Sequence, residues 1–258
     1  MPASLLSEKE LAFLSALEGA DNLWGMEDPF RDMNEEELRA ECSALERSLR
    51  SRGCAADSRG GLRAAPPYAG WIDVCRKHRR LLIFNSKPMT EEQSRLRFFL
   101  ADGAVVRYQY RGGAAALDYV GEDLMRSELT ALFDTDAEEK DAPFFVTGVS
   151  RLRRMGSLSR KHFLLELRSG GCDDGLAVWI ADGLRGGSDF RSLLAYERSE
   201  RGDELIGKLV TVRCPEGWLM ITAEGRNADS VCITKLCRTG MLSALDGIFG
   251  GGKEVDIV

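Results

Sequence analysis

Apolar positions near the start of the chain recur at helical spacing. Leu11, Leu14 and Leu17 follow Ser7, and Glu10 stands three residues beyond that serine, the pattern of a capping box. A second helix is predicted after Asn34, where Leu38, Cys42, Leu45 and Leu49 recur at i, i+4, i+7 and i+11 on one face and Gly53 closes the run. The stretch CAADSRGGLRAAP, Cys54 to Pro66, sets a glycine pair between two short segments and reads as a hairpin. Tyr68 to His78 reads as a third amphipathic helix with Trp71, Val74, Cys75 and His78 on one side. This order of elements outlines a winged-helix-like helical segment over residues 1–79.

Further along, the period changes from helical to alternating, and the pattern occurs twice. Arg95 to Phe133 and Lys208 to Phe249 each read as strand, glycine turn, strand, looser turn, strand and helix. Leu96, Phe98 and Leu100 alternate, as do Val210, Val212 and Cys214, so each strand buries one face. The closing helices align at a constant offset, with Met125 on Met241, Leu129 on Leu245, Leu132 on Ile248 and Phe133 on Phe249. Gly103 falls on Gly217 in the first turns. The expected architecture is α+β: two repeated antiparallel meander-plus-helix units in a pseudo-twofold arrangement behind the helical segment.

Each unit is expected to begin with a further strand, RLLIFN at Arg80 and HFLLELR at His162, and PFFVTGVSRL supplies another at the start of the second half. The units span residues 80–134 and 142–258, separated by the charged joint DTDAEEKD, Asp134 to Asp141. Together with the first segment they are expected to form one compact body. The second unit holds an insertion, residues 169–207, in which Ser188 is expected to cap a short helix bearing Phe190, Leu193, Leu194 and Tyr196. That apolar material serves either as a lid on the protein's own sheet or as a docking surface.

Composition and chemistry narrow the function classes. The net charge is −6, and Met1 to Glu46 carry three basic against twelve acidic residues, so counterion release would not drive nucleic-acid binding through that surface. Arg47 to Arg80 reverse this, with nine basic against two acidic residues, which keeps open a winged-helix transcriptional regulator whose duplicated part senses a ligand or partner. No apolar run is long enough to span a bilayer, and no export signal is expected at MPASLLSEKELAF. Seven cysteines without a C-x-x-C pair read as thiols in a reducing cytoplasm. Two histidines, His78 and His162, are too few for a metal cluster or an obvious catalytic base, and both are read as structural. Asp173 and Asp174 read as a polar turn. The tail GIFGGGKE, from Gly247, approaches a phosphate-binding loop. Glu254 replaces the required hydroxyl, though, and a helix precedes the loop where a strand is needed. No cofactor, no metal and no enzymatic activity are expected.

The full order of elements resembles the EspG-like proteins of type VII secretion systems. The resemblance is carried by helices ending in Leu49, Arg52 and Gly53, the short hairpin, RRLLIF, FFLADGAVVRYQY, and the helix from Gly121 to Phe133. It implies a non-catalytic cytoplasmic chaperone that holds a helical secreted protein, or protein pair, before export. A chaperone of that kind needs an apolar groove with a polar rim. Trp179, Phe190, Leu194 and Trp218 are the candidate partner-binding residues on that reading.

Overall fold

The computed structural model describes residues 5–20, 28–87, 96–111, 113–133, 143–186, 189–215, 217–224 and 229–250. The chain falls into two units, Met1–Leu81 with Glu91–Met125, and Leu82–Thr90 with Arg126–Val258. Helices and antiparallel strands occur in both, so the class is α+β.

The first unit opens with α1 (Glu8–Leu17) and α2 (Glu35–Ser51). α1 carries the expected capping box, and α2, expected to start after Asn34, carries one as well. The Ser7 hydroxyl accepts from the Glu10 amide while the Glu10 carboxylate accepts from that of Ser7, and Asn34 and Glu37 repeat the exchange. The hairpin β1 (Ala55–Ser58) and β2 (Gly61–Ala64) follows, then α3 (Tyr68–Lys77) and β3 (Arg80–Lys87), which continues into the second unit. The helix, helix, hairpin, helix order thus stands as expected.

The strands β4 (Leu96–Ala101), β5 (Ala104–Arg111) and β6 (Ala114–Val120) form an antiparallel meander, followed by α4 (Glu122–Phe133). Asp102 and Gly103 join β4 to β5 with φ of 45° and 81°, the left-handed pair of a tight hairpin. The helix α3 lies on this meander, with Trp71 edge-on to Tyr119 and His78 edge-on to Phe99. Gly70 permits the approach, since a Cβ there would stand 2.7 Å from the Tyr119 hydroxyl. Glu10, nearly buried, ties α1 to α2 by accepting from Arg52 at 2.6 Å and from Ser48 at 3.2 Å.

The second unit contains β7 (Phe144–Gly148), α5 (Val149–Gly156), α6 (Arg160–Ser169) and α7 (Asp174–Gly186), then β8 (Phe190–Ser199), β9 (Gly202–Cys214), β10 (Gly217–Glu224), β11 (Ser230–Lys235) and α8 (Arg238–Gly250). Its strands run in the order β3-β8-β9-β10-β11-β7. β9, β10 and β11 form a meander followed by α8, which buries Met241, Leu245 and Ile248. In the first meander's helix, Met125, Leu129 and Phe133 are buried.

Two expectations are corrected here. HFLLELR is not a strand; it is the body of α6. Ser159 caps it, and Phe163 and Leu167, one turn apart, enter the core while the residues between face outward or sit at the margin. An apolar run flanked by good helix formers was compatible with either period, and the cap decides it. Nor is Phe190 to Tyr196 a helix; it lies in β8, paired with β9 from Phe190↔Val212 to Ser199↔Gly202. Leu193 and Ala195, on the opposite face from Phe190 and Leu194, are fully buried, so apolar residues occupy both faces of β8 and their spacing mimics a helix. Ser188, the expected cap, lies outside the described residues, as do the joint Asp134 to Asp141 and the tail beyond Gly250.

Candidate functional site

Strand register sorts the second unit's side chains onto two faces. Phe190, Ser192 and Leu194 lie on one face with Lys208, Val210 and Val212, then Leu219, Ile221 and Ala223, then Val231 and Ile233. Helices α5, α6 and α7 cover part of this face. Met155, Phe163, Leu167, Leu176 and Ile180 close over Phe145, Leu219 and Ile233 in one core.

The rest of the face is open. Phe190, Val210, Ile221 and Ala223 are only half-buried and floor a groove of about 780 Å³, walled by Leu152 of α5 and Leu184 of α7. Backbone and glycine contacts fix both walls. The Val149 amide, opening α5, donates to the Asp229 carbonyl at 2.7 Å. On the other side Gly183 lets α7 sit tight against the sheet, since a Cβ there would meet the Cys214 sulfur at 2.5 Å and Leu219 at 2.9 Å.

The rim carries charge. Arg153, Lys208 and Asp229 all line the groove. Among the described residues neither Arg153 nor Lys208 has an ion-pair partner, whereas nearby Arg151, Arg160 and Arg168 pair with Glu166, Asp182 and Asp174. An apolar floor with uncompensated cations at its edge suits an apolar protein segment with polar or acidic flanks.

The four candidate aromatic and aliphatic residues divide between places. Phe190 lines the groove, and Leu194 shares its sheet face. Trp179 of α7 packs on Gly217 and holds Lys235 Nζ 4.0 Å from its ring centroid. Trp218 lies on the other face of the sheet, where the Arg191 guanidinium stacks 4.8 Å from its ring. Arg191 also donates to the Leu132 carbonyl at 2.7 Å. The groove's walls, Leu152 and Leu184, and three of its four floor residues, Val210, Ile221 and Ala223, were not among the candidates named from sequence. Alternation marked Val210 as inward-facing, but nothing in the pattern told that the helices stop short of it.

The chemistry-bearing side chains have structural settings. His78 is buried, its Nδ1 2.7 Å from the Cys75 carbonyl, and His162 meets the Ser159 hydroxyl within the first turn of α6. Asp173 accepts from the Leu176 amide at 2.9 Å and so caps α7, and Asp174 pairs with Arg168. Burial pushes the Cys172 and Cys214 thiols up to about 11 and raises Cys75 further, which keeps them protonated at neutral pH. Among the described residues no group of histidine, cysteine, aspartate and glutamate could hold a metal ion, and no helix is long and apolar enough to cross a membrane. Gly247 and Gly250 lie inside α8, so the first part of the phosphate-loop-like tail is helical.

No protein-family model matches this chain, and no curated protein matches it. A solved structure does. The fold is similar to that of a chaperone of type VII secretion: the alignment spans 97% of this chain and 97% of the other, with a TM-score of 0.68 and 10% sequence identity. The neighbour is the Mycobacterium tuberculosis type VII secretion system chaperone EspG5, in a structure of its complex with the PE25–PPE41 dimer. At that identity the likeness is one of fold.

Proposed function

We propose that this chain is a non-catalytic, cytoplasmic chaperone-like protein that binds a helical secreted protein, or protein pair, of a type VII secretion system and holds it soluble before export. The observation that carries this reading is the end-to-end fold likeness to a chaperone solved with a protein dimer. The groove supports it independently: a half-open apolar sheet face with a charged rim is suited to shielding the apolar tip of a helical client. Phe190 and Leu194 contribute to that face, and Trp179 and Trp218 serve at its margins by bracing α7 and the sheet behind it. We also read the two meander-plus-helix units as products of a duplication, on the strength of their common element order and of the matched Met125 and Met241.

The test is affinity purification of the tagged chain from its native cell, with identification of what accompanies it. A small helical secreted protein enriched in near-stoichiometric yield is the expected result. Its absence would leave the fold without this function.

A further inference from the structure

We propose that the α5–α6 corner docks on an anionic lipid surface. This goes beyond the chaperone reading and does not depend on the identity of a client. Residues 142–165 hold Arg151, Arg153, Arg154, Arg160 and Lys161 and no aspartate or glutamate, in a chain whose net charge is −6. Arg151 is matched by Glu166 at 3.5 Å and Arg160 by Asp182 at 2.9 Å. Arg153, Arg154 and Lys161 are exposed and have no ion-pair partner among the described residues. They gather where α5 ends and α6 begins, with Ser157 to Ser159 between them.

An apolar side chain stands among these cations. Leu165 is 52% exposed, one turn beyond Lys161 and one turn before Arg168, while Phe163 and Leu167 on the opposite side of α6 are buried. The exposed stripe of α6 therefore runs Lys161, Leu165, Arg168, of which Lys161 has no ion-pair partner among the described residues and Arg168 is matched by Asp174 at 2.7 Å. A bilayer surface uses both properties: the leucine enters the interface and the cations stay with the phosphates. A nucleic-acid backbone would use the cations alone: the one phenylalanine of α5 and α6, Phe163, is buried and closed to base stacking, and the exposed Phe144 belongs to β7, outside the corner. The negative charge elsewhere on the chain is screened beyond about 8–10 Å at physiological salt, so it does not cancel a local patch.

The experiment is flotation of the full chain with vesicles of equal parts phosphatidylglycerol and phosphatidylcholine, against phosphatidylcholine alone, at about 0.1 M salt. The chain is expected to float with the anionic vesicles only and to be released at high salt. Arg154→Gln/Lys161→Gln, at two exposed positions, is expected to lower partitioning about thirtyfold, roughly fivefold for each cation removed. Leu165→Gln, which leaves the charge intact, is expected to lower it several-fold; circular dichroism of both variants establishes that the fold is kept. Equal partitioning to both vesicle types, none to either, or an unchanged double variant would overturn the proposal. So would retention on sheared DNA that the double variant loses while vesicles go unbound, since this would assign the patch to nucleic acid.

Discussion

The ring of Trp179 lies over Gly217 so closely that a Cβ on that glycine would stand 2.9 Å from Cη2 and 3.3 Å from Cζ3. Gly217 also has φ of 152°, a conformation that side-chain-bearing residues rarely adopt. The first turn of the second meander is thus fitted to α7, whose indole in turn carries Lys235 on its face. Gly217→Ala is expected to cost about 1–3 kcal/mol through overpacking and backbone strain, measured by urea unfolding.

Glu10 gives the first unit a pH dependence. Burial alone would raise its carboxyl, but the Ser7 amide, Arg52 and the Ser48 hydroxyl outweigh burial and hold it below its ordinary value of 4.5. A lowered carboxyl stabilises the fold above its unfolded pKa, and that contribution disappears as pH falls through the folded value. Stability is therefore expected to drop as pH falls below about 4.5. Glu10→Gln should flatten this dependence and cost about 1–3 kcal/mol at pH 7, because Arg52 loses its charged partner.

The seven cysteines are free thiols in graded settings. Cys54, Cys75, Cys172 and Cys214 are buried, and Cys42, Cys232 and Cys237 are partly exposed. Alkylation of the native protein at pH 8, followed by mass spectrometry, is expected to label the second group first. Labelling of Cys75, Cys172 and Cys214 should need denaturant, since burial raises all three thiols.

Leu129 and Leu245 sit at matching turns of α4 and α8, and both are buried. Leu129→Ala and Leu245→Ala should each cost about 2–5 kcal/mol by thermal or urea unfolding. A cost below 1 kcal/mol at either would contradict the placement of both side chains in the core.

Much of this architecture was legible from local signals. Ser7 with Glu10 announced α1, and Asn34 with the apolar spacing of Leu38 to Leu49 announced α2, because a cap is a short-range exchange of hydrogen bonds that sequence spacing can specify. Alternation in Leu96 to Leu100 and Val210 to Cys214 gave strands and their inner faces. The region around residues 160–199 is not legible from spacing because α6 lies in a three-helix layer and β8 buries apolar residues on both of its faces, and tertiary packing sets both. Of the groove's lining, Phe190 is among the residues named from sequence, while Leu194 shares the sheet face without lining the groove. The groove itself depends on where α5 and α7 end over the sheet, which a one-dimensional pattern does not record.

The central claim is that the half-open face at Val210 and Ile221 holds a helical client. The direct test compares the tagged wild type with Val210→Glu, each purified from the native cell, with circular dichroism establishing that the variant is folded. The account predicts that the wild type brings down a helical secreted protein and that the variant brings down at least about tenfold less, the loss expected when a charge enters an apolar interface. Equal recovery of the same protein by the folded variant would contradict it.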